Sequence, residues 1–155
     1  MKKYKFKIVI FIGVVSLLYV AYYNTPRFDQ STVDINGHVF KIEAVYSSTD
    51  IMRGLSGRET MADDQAMLFI FPDKQLRTFW MKDMNFNIDL LWIENNEIVA
   101  FENNMLAPVE NIPLNELLRY TSPQPVDKVL EIKAGLINSL NIKIGDTIQL
   151  ESKKL

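Results

Sequence analysis

LRTFWMKDMNFNIDLLWIE, residues 76–94, is the stretch whose reading decides the fold. It holds both tryptophans, an arginine, a lysine and two aspartates in one of the most apolar parts of the chain. Two β-type runs, Leu76–Met81 and Ile88–Glu94, flank a polar turn at Lys82–Asn87. Alternation puts Arg77, Phe79 and Met81 on one face of the first run, with Leu76, Thr78 and Trp80 on the other. In the second run Asp89 shares a face with Leu91 and Ile93. A carboxylate on an apolar face is costly unless it is paired or hydrogen-bonded, so Asp89 is expected to have a designated partner.

The neighbouring segments extend this β pattern. Ala66–Phe71 (AMLFIF) is apolar on both faces and reads as a central strand ended by Pro72-Asp73. Downstream, Asn95-Asn96 predicts a tight turn into a strand over Glu97–Glu102. Upstream, Thr32–Ile35, Asn36-Gly37 and His38–Tyr46 predict a hairpin on a type I′ turn, with His38 as a solvated turn residue. Ser48, Thr49 and Asp50 start a short helix with Ile51 and Leu55 on its buried side, and Gly57 is expected to end it. Asn103–Pro125 carries four prolines and reads as a long loop with one helical turn at Leu114–Arg119. Val126–Ile132 returns as a strand, Ala134–Leu140 as a helix and Asp146–Leu150 as a last strand. With hairpins dominating and no regular βαβ alternation, the expected fold is mainly β (β-rich α+β). It is a single antiparallel, barrel-like domain with two short helices at its margins.

The chain begins MKKYKFK, followed by 16 uncharged residues, IVIFIGVVSLLYVAYY. A basic head before such a run is a signal peptide or a membrane anchor rather than part of the fold. The run gives roughly 24 Å of helix, enough to span a bilayer if its flanks adapt. A signal peptidase cut after Ala21 would place the bulky Tyr19 at the −3 position, and Tyr19, Tyr22 and Tyr23 suit an interfacial aromatic belt. Residues 1–25 are therefore read as an uncleaved signal-anchor, with membrane contact through residues 8–23. Residues 26–31 form a tether and residues 32–155 the folded domain. The lysine cluster keeps the N-terminus in the cytoplasm and the domain outside it.

Composition narrows the function classes. Of 17 basic residues, four (Lys2, Lys3, Lys5 and Lys7) precede the apolar run, leaving 13 against 19 acidic, a balance near −6 that is a poor match for nucleic acid. There is no cysteine, which excludes disulfides, thiol catalysis and a lipoprotein-type anchor. With His38 the one histidine, no metal site and no cofactor are expected. The sequence has no GxSxG, Walker A, GxGxxG, HExxH or CxxC pattern. What remains is a set of charged residues near apolar strands: Arg53, Arg58, Lys82, Asp89 and Glu131, the last alternating with Val129.

RGLSGR at 53–58, AMLFIF at 66–71, TFWMKDMNFNIDLLWI at 78–93, VLEIKAG at 129–135 and GD at 145–146 together resemble the uncharacterised DUF192 family. The resemblance spans about Phe40 to Leu150. Ser56, Ala66 and Asp83 stand where the family pattern has Met, Gly and Asn, whereas the five charged positions fit it. The resemblance implies a small, mostly β domain and supplies no reaction.

Three readings stay open. The first is a binding domain with a cleft for a small molecule, glycan or peptide. It would use Trp80 or Trp92 as a platform and Arg53, Arg58 and Lys82 as donors. The second is a hydrolase or transferase with Asp89 or Glu131 as general base. The third is a structural domain in which each carboxylate pairs with an arginine. The site expectation is that Arg53, Asp89 and at least one of Lys82 or Glu131 line a common depression, with Trp80 or the Pro-rich loop at its rim.

Overall fold

The structure, a computed structural model, describes residues 31–109 and 112–151. The signal-anchor reading falls on residues 1–25 and lies outside them. Among the described residues no helix is long and apolar enough to cross a membrane.

β1 (Thr32–Ile35) and β2 (His38–Val45) form the expected hairpin, with Asn36 at φ +55° and Gly37 at φ +83° carrying the turn. His38 is half-buried and meets Phe40 edge-on at 4.5 Å, so it is not the freely solvated residue expected. α1 (Ser48–Arg53) is capped by Ser47, whose hydroxyl accepts from the Asp50 amide at 3.1 Å. It ends at Gly54 rather than Gly57. α1 sits in a crossover, because β2 and β3 (Gln65–Gln75) run parallel, Lys41 opposite Gln65 and Val45 opposite Phe69. This parallel pair is a departure from the antiparallel expectation.

β3 also runs past Pro72-Asp73, where the sequence predicted its end. Its pairing with β8 (Val126–Lys133) shifts register between Ile70 and Gln75, and a proline is tolerated at such an irregularity. β5 (Ile88–Glu94) lies between β8 and β6 (Glu97–Met105), and β9 (Ile148–Glu151) pairs with β1. The sheet order is β6-β5-β8-β3-β2-β1-β9. The sheet curls into a half-barrel, and its two edges meet at one end. There the Ile98 amide donates to the Asp146 carbonyl at 2.8 Å, and the Ile148 amide to the Asn96 carbonyl at 2.8 Å.

The first run of the opening stretch does not join this sheet. Only Thr78–Trp80 is strand (β4), and it pairs with β7 (Arg119–Thr121), which falls in the segment read as a long loop, at the end of its expected helical turn. The two make a short ribbon set apart from the main sheet. The second expected helix is α2 (Leu136–Ser139). Among the described residues there are nine strands.

Both faces of the sheet are buried. Phe40, Ile42, Leu68, Leu91, Leu130 and Ile132 pack on one face with Ile137 of α2. On the other, Met67, Phe69, Leu90, Trp92 and Val129 pack with Leu55, Met81 and Met84. β3, β5 and β8 supply residues to both faces, which is why AMLFIF and IDLLWI read as near-continuous apolar runs. The β4–β7 ribbon and α1 with its following loop cover the second face. That covering is incomplete, and the gap is the candidate site.

Candidate functional site

A cavity of about 440 Å³ opens between the end of α1 and the β4 ribbon. Arg53, Gly54 and Ser56 line it on one side, Leu76 to Trp80 on the other, with Phe69, Phe71 and Glu131 from β3 and β8 beneath. The local sequence explains this shape. Gly54 turns the chain at φ +49° and ψ −132°, a conformation open to glycine, immediately over the Phe69 ring. The RGLSGR loop is then tied to the turn after β4. The Ser56 hydroxyl donates to the Lys82 carbonyl at 2.8 Å, the Gly57 amide to the Asp83 carbonyl at 2.8 Å, and the Asn85 side-chain amide to the Arg58 carbonyl at 3.0 Å. The hydrogen-bonding side chain of Ser56 thus makes one stitch of this seam.

Aromatic rings form the cavity wall and its support. Phe79 stands edge-on to Phe69 at 4.9 Å, and the buried Trp92 stands edge-on to Phe79 at 5.7 Å. Trp80 is 38% exposed at the rim, with the Arg119 guanidinium 4.6 Å from its ring. Arg77 lies 3.9 Å over the Phe71 ring and donates to the Asp73 carboxylate at 2.6 Å and the Asp73 carbonyl at 2.7 Å.

Glu131 is the unusual member of the lining. It is 6% exposed, and its Oε2 is buried without a hydrogen-bond partner. Removal from water pushes its carboxyl up to about 8, against the opposing pull of the Arg58 guanidinium. That guanidinium is itself engaged by Glu43 at 2.7 Å. Arg53 is exposed at the α1 end of the cavity, and its side chain makes no ion pair or hydrogen bond among the described residues.

The five charged residues singled out from the sequence therefore separate. Arg53 and Glu131 line one cavity with Trp80 at its rim. Arg58 is held by Glu43 beside a smaller adjoining pocket that shares Arg53. Lys82 pairs with Asp83 at 2.6 Å and does not line the cavity. Asp89 is wholly buried on the opposite face of the sheet, where it accepts from the Asn104 amide at 2.8 Å and the Ile137 amide at 2.9 Å. The expectation that Asp89 would share the depression is corrected: its designated partners are two backbone amides, and it holds β6 and α2 in place. Trp92 is likewise core, not platform. Arg77 and Phe79 belong to the cavity and were not singled out as site residues. Alternation does not single them out, because Leu76, Thr78 and Trp80, placed by it on the other face, line the same cavity.

Among the described residues no cluster of three or more His, Asp or Glu side chains is placed to hold a metal ion. Chemically, the cavity offers an aromatic wall, a free guanidinium at its exposed end and a buried carboxyl that is largely protonated near neutral pH.

Comparison with known proteins follows the same outline. The family model described as DUF192, an uncharacterized ACR, matches residues 31–150. The chain belongs to the DUF192 family. Its match takes in the cavity-lining segments from RGLSGR to VLEIKAG. A crystal structure of a protein of unknown function from Novosphingobium aromaticivorans is similar, with a TM-score of 0.65 and 27% identity, covering 77% of this chain and 82% of that one. A second, from Sinorhizobium meliloti, is named as a candidate transcription regulator; it has a TM-score of 0.65 and 27% identity, covering 77% of this chain and 90% of that one. No curated protein matches. The fold that goes with this membership is a mainly β half-barrel.

Proposed function

We propose that this DUF192 domain is a ligand-binding module, carried outside the cytoplasm on its N-terminal segment as an uncleaved signal-anchor. The ligand occupies the cavity between α1 and the β4 ribbon, with Arg53, Trp80 and Glu131 as its main contacts. One observation carries the reading: a buried carboxyl without a hydrogen-bond partner lines an aromatic cavity whose exposed end holds a free guanidinium. An unsatisfied buried polar group costs stability, and its persistence on a cavity wall is accounted for if a ligand completes it. The name of the Sinorhizobium neighbour is not carried over, since the balance near −6 beyond the N-terminal lysines disfavours nucleic acid.

The test is native mass spectrometry of the full-length chain purified from its own membranes. A small molecule retained by the wild type and lost from Arg53→Gln and Glu131→Leu supports the reading. A molecule whose retention ignores both changes overturns it. The anchor is tested on the same material by sequencing its N-terminus: a start near Tyr22 removes it from the proposal.

A second reading gives Glu131 a catalytic task. A carboxyl pushed up to about 8 can donate a proton near neutral pH, as a hydrolase or transferase acid requires. Neither Asp89, sealed behind two amides, nor Lys82, outside the cavity, supports that role. Binding is the better supported of the two, because the cavity lining contains no evident nucleophile–base pair.

A further inference from the structure

The polar groups along the cavity divide by what already occupies them. Arg77 is committed to Asp73, the Ser56 hydroxyl to the Lys82 carbonyl, and the Thr78 hydroxyl to that of Thr121 at 2.9 Å. The Nε of Arg77 is also buried without a partner, but its charge is already paired with Asp73. Arg53 and Glu131 are left without a charge partner, and they differ in exposure. Arg53 is at the open end and cationic, whereas Glu131 is buried. The rings of Phe69, Phe71 and Phe79 and the thioether of Met84 complete the lining.

From this polarity we propose that the cavity binds a flat, apolar monocarboxylate with a neutral hydroxyl or amide at its far end. The carboxylate points outward onto Arg53 and the neutral group inward onto Glu131. This rests on the ligand-binding reading above and names its ligand class. Three alternatives fit worse. An anionic group at the inner end would meet the Glu131 carboxyl with no uncommitted cation, because Arg58 is already engaged by Glu43 and Arg77 by Asp73. A wholly apolar molecule would cover Glu131 without supplying its missing hydrogen bond. A neutral polar molecule would leave the free charge of Arg53 unused. A carboxyl that is mostly protonated at neutral pH both donates and accepts, which suits a hydroxyl or amide. The volume, about 440 Å³, lies in the range of small-molecule sites, and edge-to-face rings favour a flat body.

Isothermal titration of the full-length chain with three probes tests the class. These are para-hydroxyphenylpropanoate, phenylpropanoate, which lacks the inner group, and para-hydroxyphenylethanol, which lacks the anion. The first is expected to bind about tenfold more tightly than each of the others. Arg53→Gln should erase its advantage over the alcohol and leave its advantage over phenylpropanoate. Glu131→Leu should do the reverse. Equal binding of all three, lost together in Phe79→Ala, overturns the ligand class while leaving the cavity a binding site. If no probe binds at millimolar concentration, the class is overturned as well, and the co-purification experiment then decides separately whether the site binds anything.

Discussion

Asp89 lies opposite Ile132 and Glu131 opposite Leu90, so the two buried carboxyls of adjacent strands are one residue out of step and point to opposite faces of the same sheet. Asp89 is closed in by Asn104 and α2, which give it two hydrogen bonds. Glu131 faces the side covered by α1 and the β4 ribbon, where a cavity remains and its Oε2 has no partner. Two carboxyls that look alike in sequence are thus assigned different tasks by register alone.

Asp89→Asn tests the structural half of that division. The amide keeps one acceptor but turns an NH₂ group toward a backbone N–H, so one buried amide loses its partner. Denaturant melts are expected to show a loss of about 1–3 kcal/mol, with ligand retention per folded molecule unchanged. A loss below about half a kcal/mol, or selective loss of ligand, would contradict the assignment.

Neighbouring core positions separate stability from the cavity. Leu68 and Phe69 follow one another on β3 and face opposite sides, Leu68 into the α2-side cluster and Phe69 into the cavity wall. Leu68→Ala should cost about 2–5 kcal/mol and Phe69→Ala about 3–5 kcal/mol in the same melts. Only Phe69→Ala should also weaken binding of an aromatic probe at temperatures where both variants are folded.

How much of this was legible in the sequence depends on which contacts are local. AMLFIF and IDLLWI announce buried strands, and Asn36-Gly37 and Asn95-Asn96 announce their hairpins, because period and turn chemistry are written in consecutive residues. The face of Asp89 was also legible, since it shares one with Leu91 and Ile93 in the structure. What covers each face was not, because it depends on the register of β5 against β8 and on segments far along the chain. β7 shows the same limit: Arg119–Thr121 follows a Pro-rich segment with no period of its own and becomes a strand only by pairing with β4. The end of α1 was misplaced because Gly54 and Gly57 are both terminators by type and both lie at positive φ; the helical hydrogen bonding stops at Gly54, whose amide donates to the Asp50 carbonyl.

Gly54→Ala probes that turn. The added Cβ would sit 3.5 Å from the Phe69 ring, ordinary contact, so the penalty comes from the backbone conformation rather than from a clash. A destabilisation of about 1–3 kcal/mol is expected. Because Gly54 lines the cavity, probe affinity should fall with it, and a melt identical to wild type would show that the turn relaxes freely.

The pH dependence of stability isolates Glu131. Its carboxyl has an ordinary value of 4.5 and is pushed up to about 8 by burial, so the folded protein holds a proton that the unfolded chain releases across that interval. The sign follows: the stabilisation is complete below about 4.5 and is lost as pH rises through the interval to about 8. At about 1.4 kcal/mol for each pH unit, the total is on the order of several kcal/mol. Carboxylates held low by partners, Asp73 by Arg77, Asp64 by Lys41 and Glu94 by Lys74, lose their contribution only in more acid solution. They do not produce a decline in this window. Urea melts of wild type and Glu131→Gln between pH 5 and pH 9 make the comparison. The wild type should weaken steadily relative to the variant, which remains neutral throughout and should be the more stable protein at the alkaline end. Parallel curves for the two proteins would mean that Glu131 is hydrated through the cavity and titrates as an ordinary carboxyl, and the polarity argued for the bound ligand would lose its inner end.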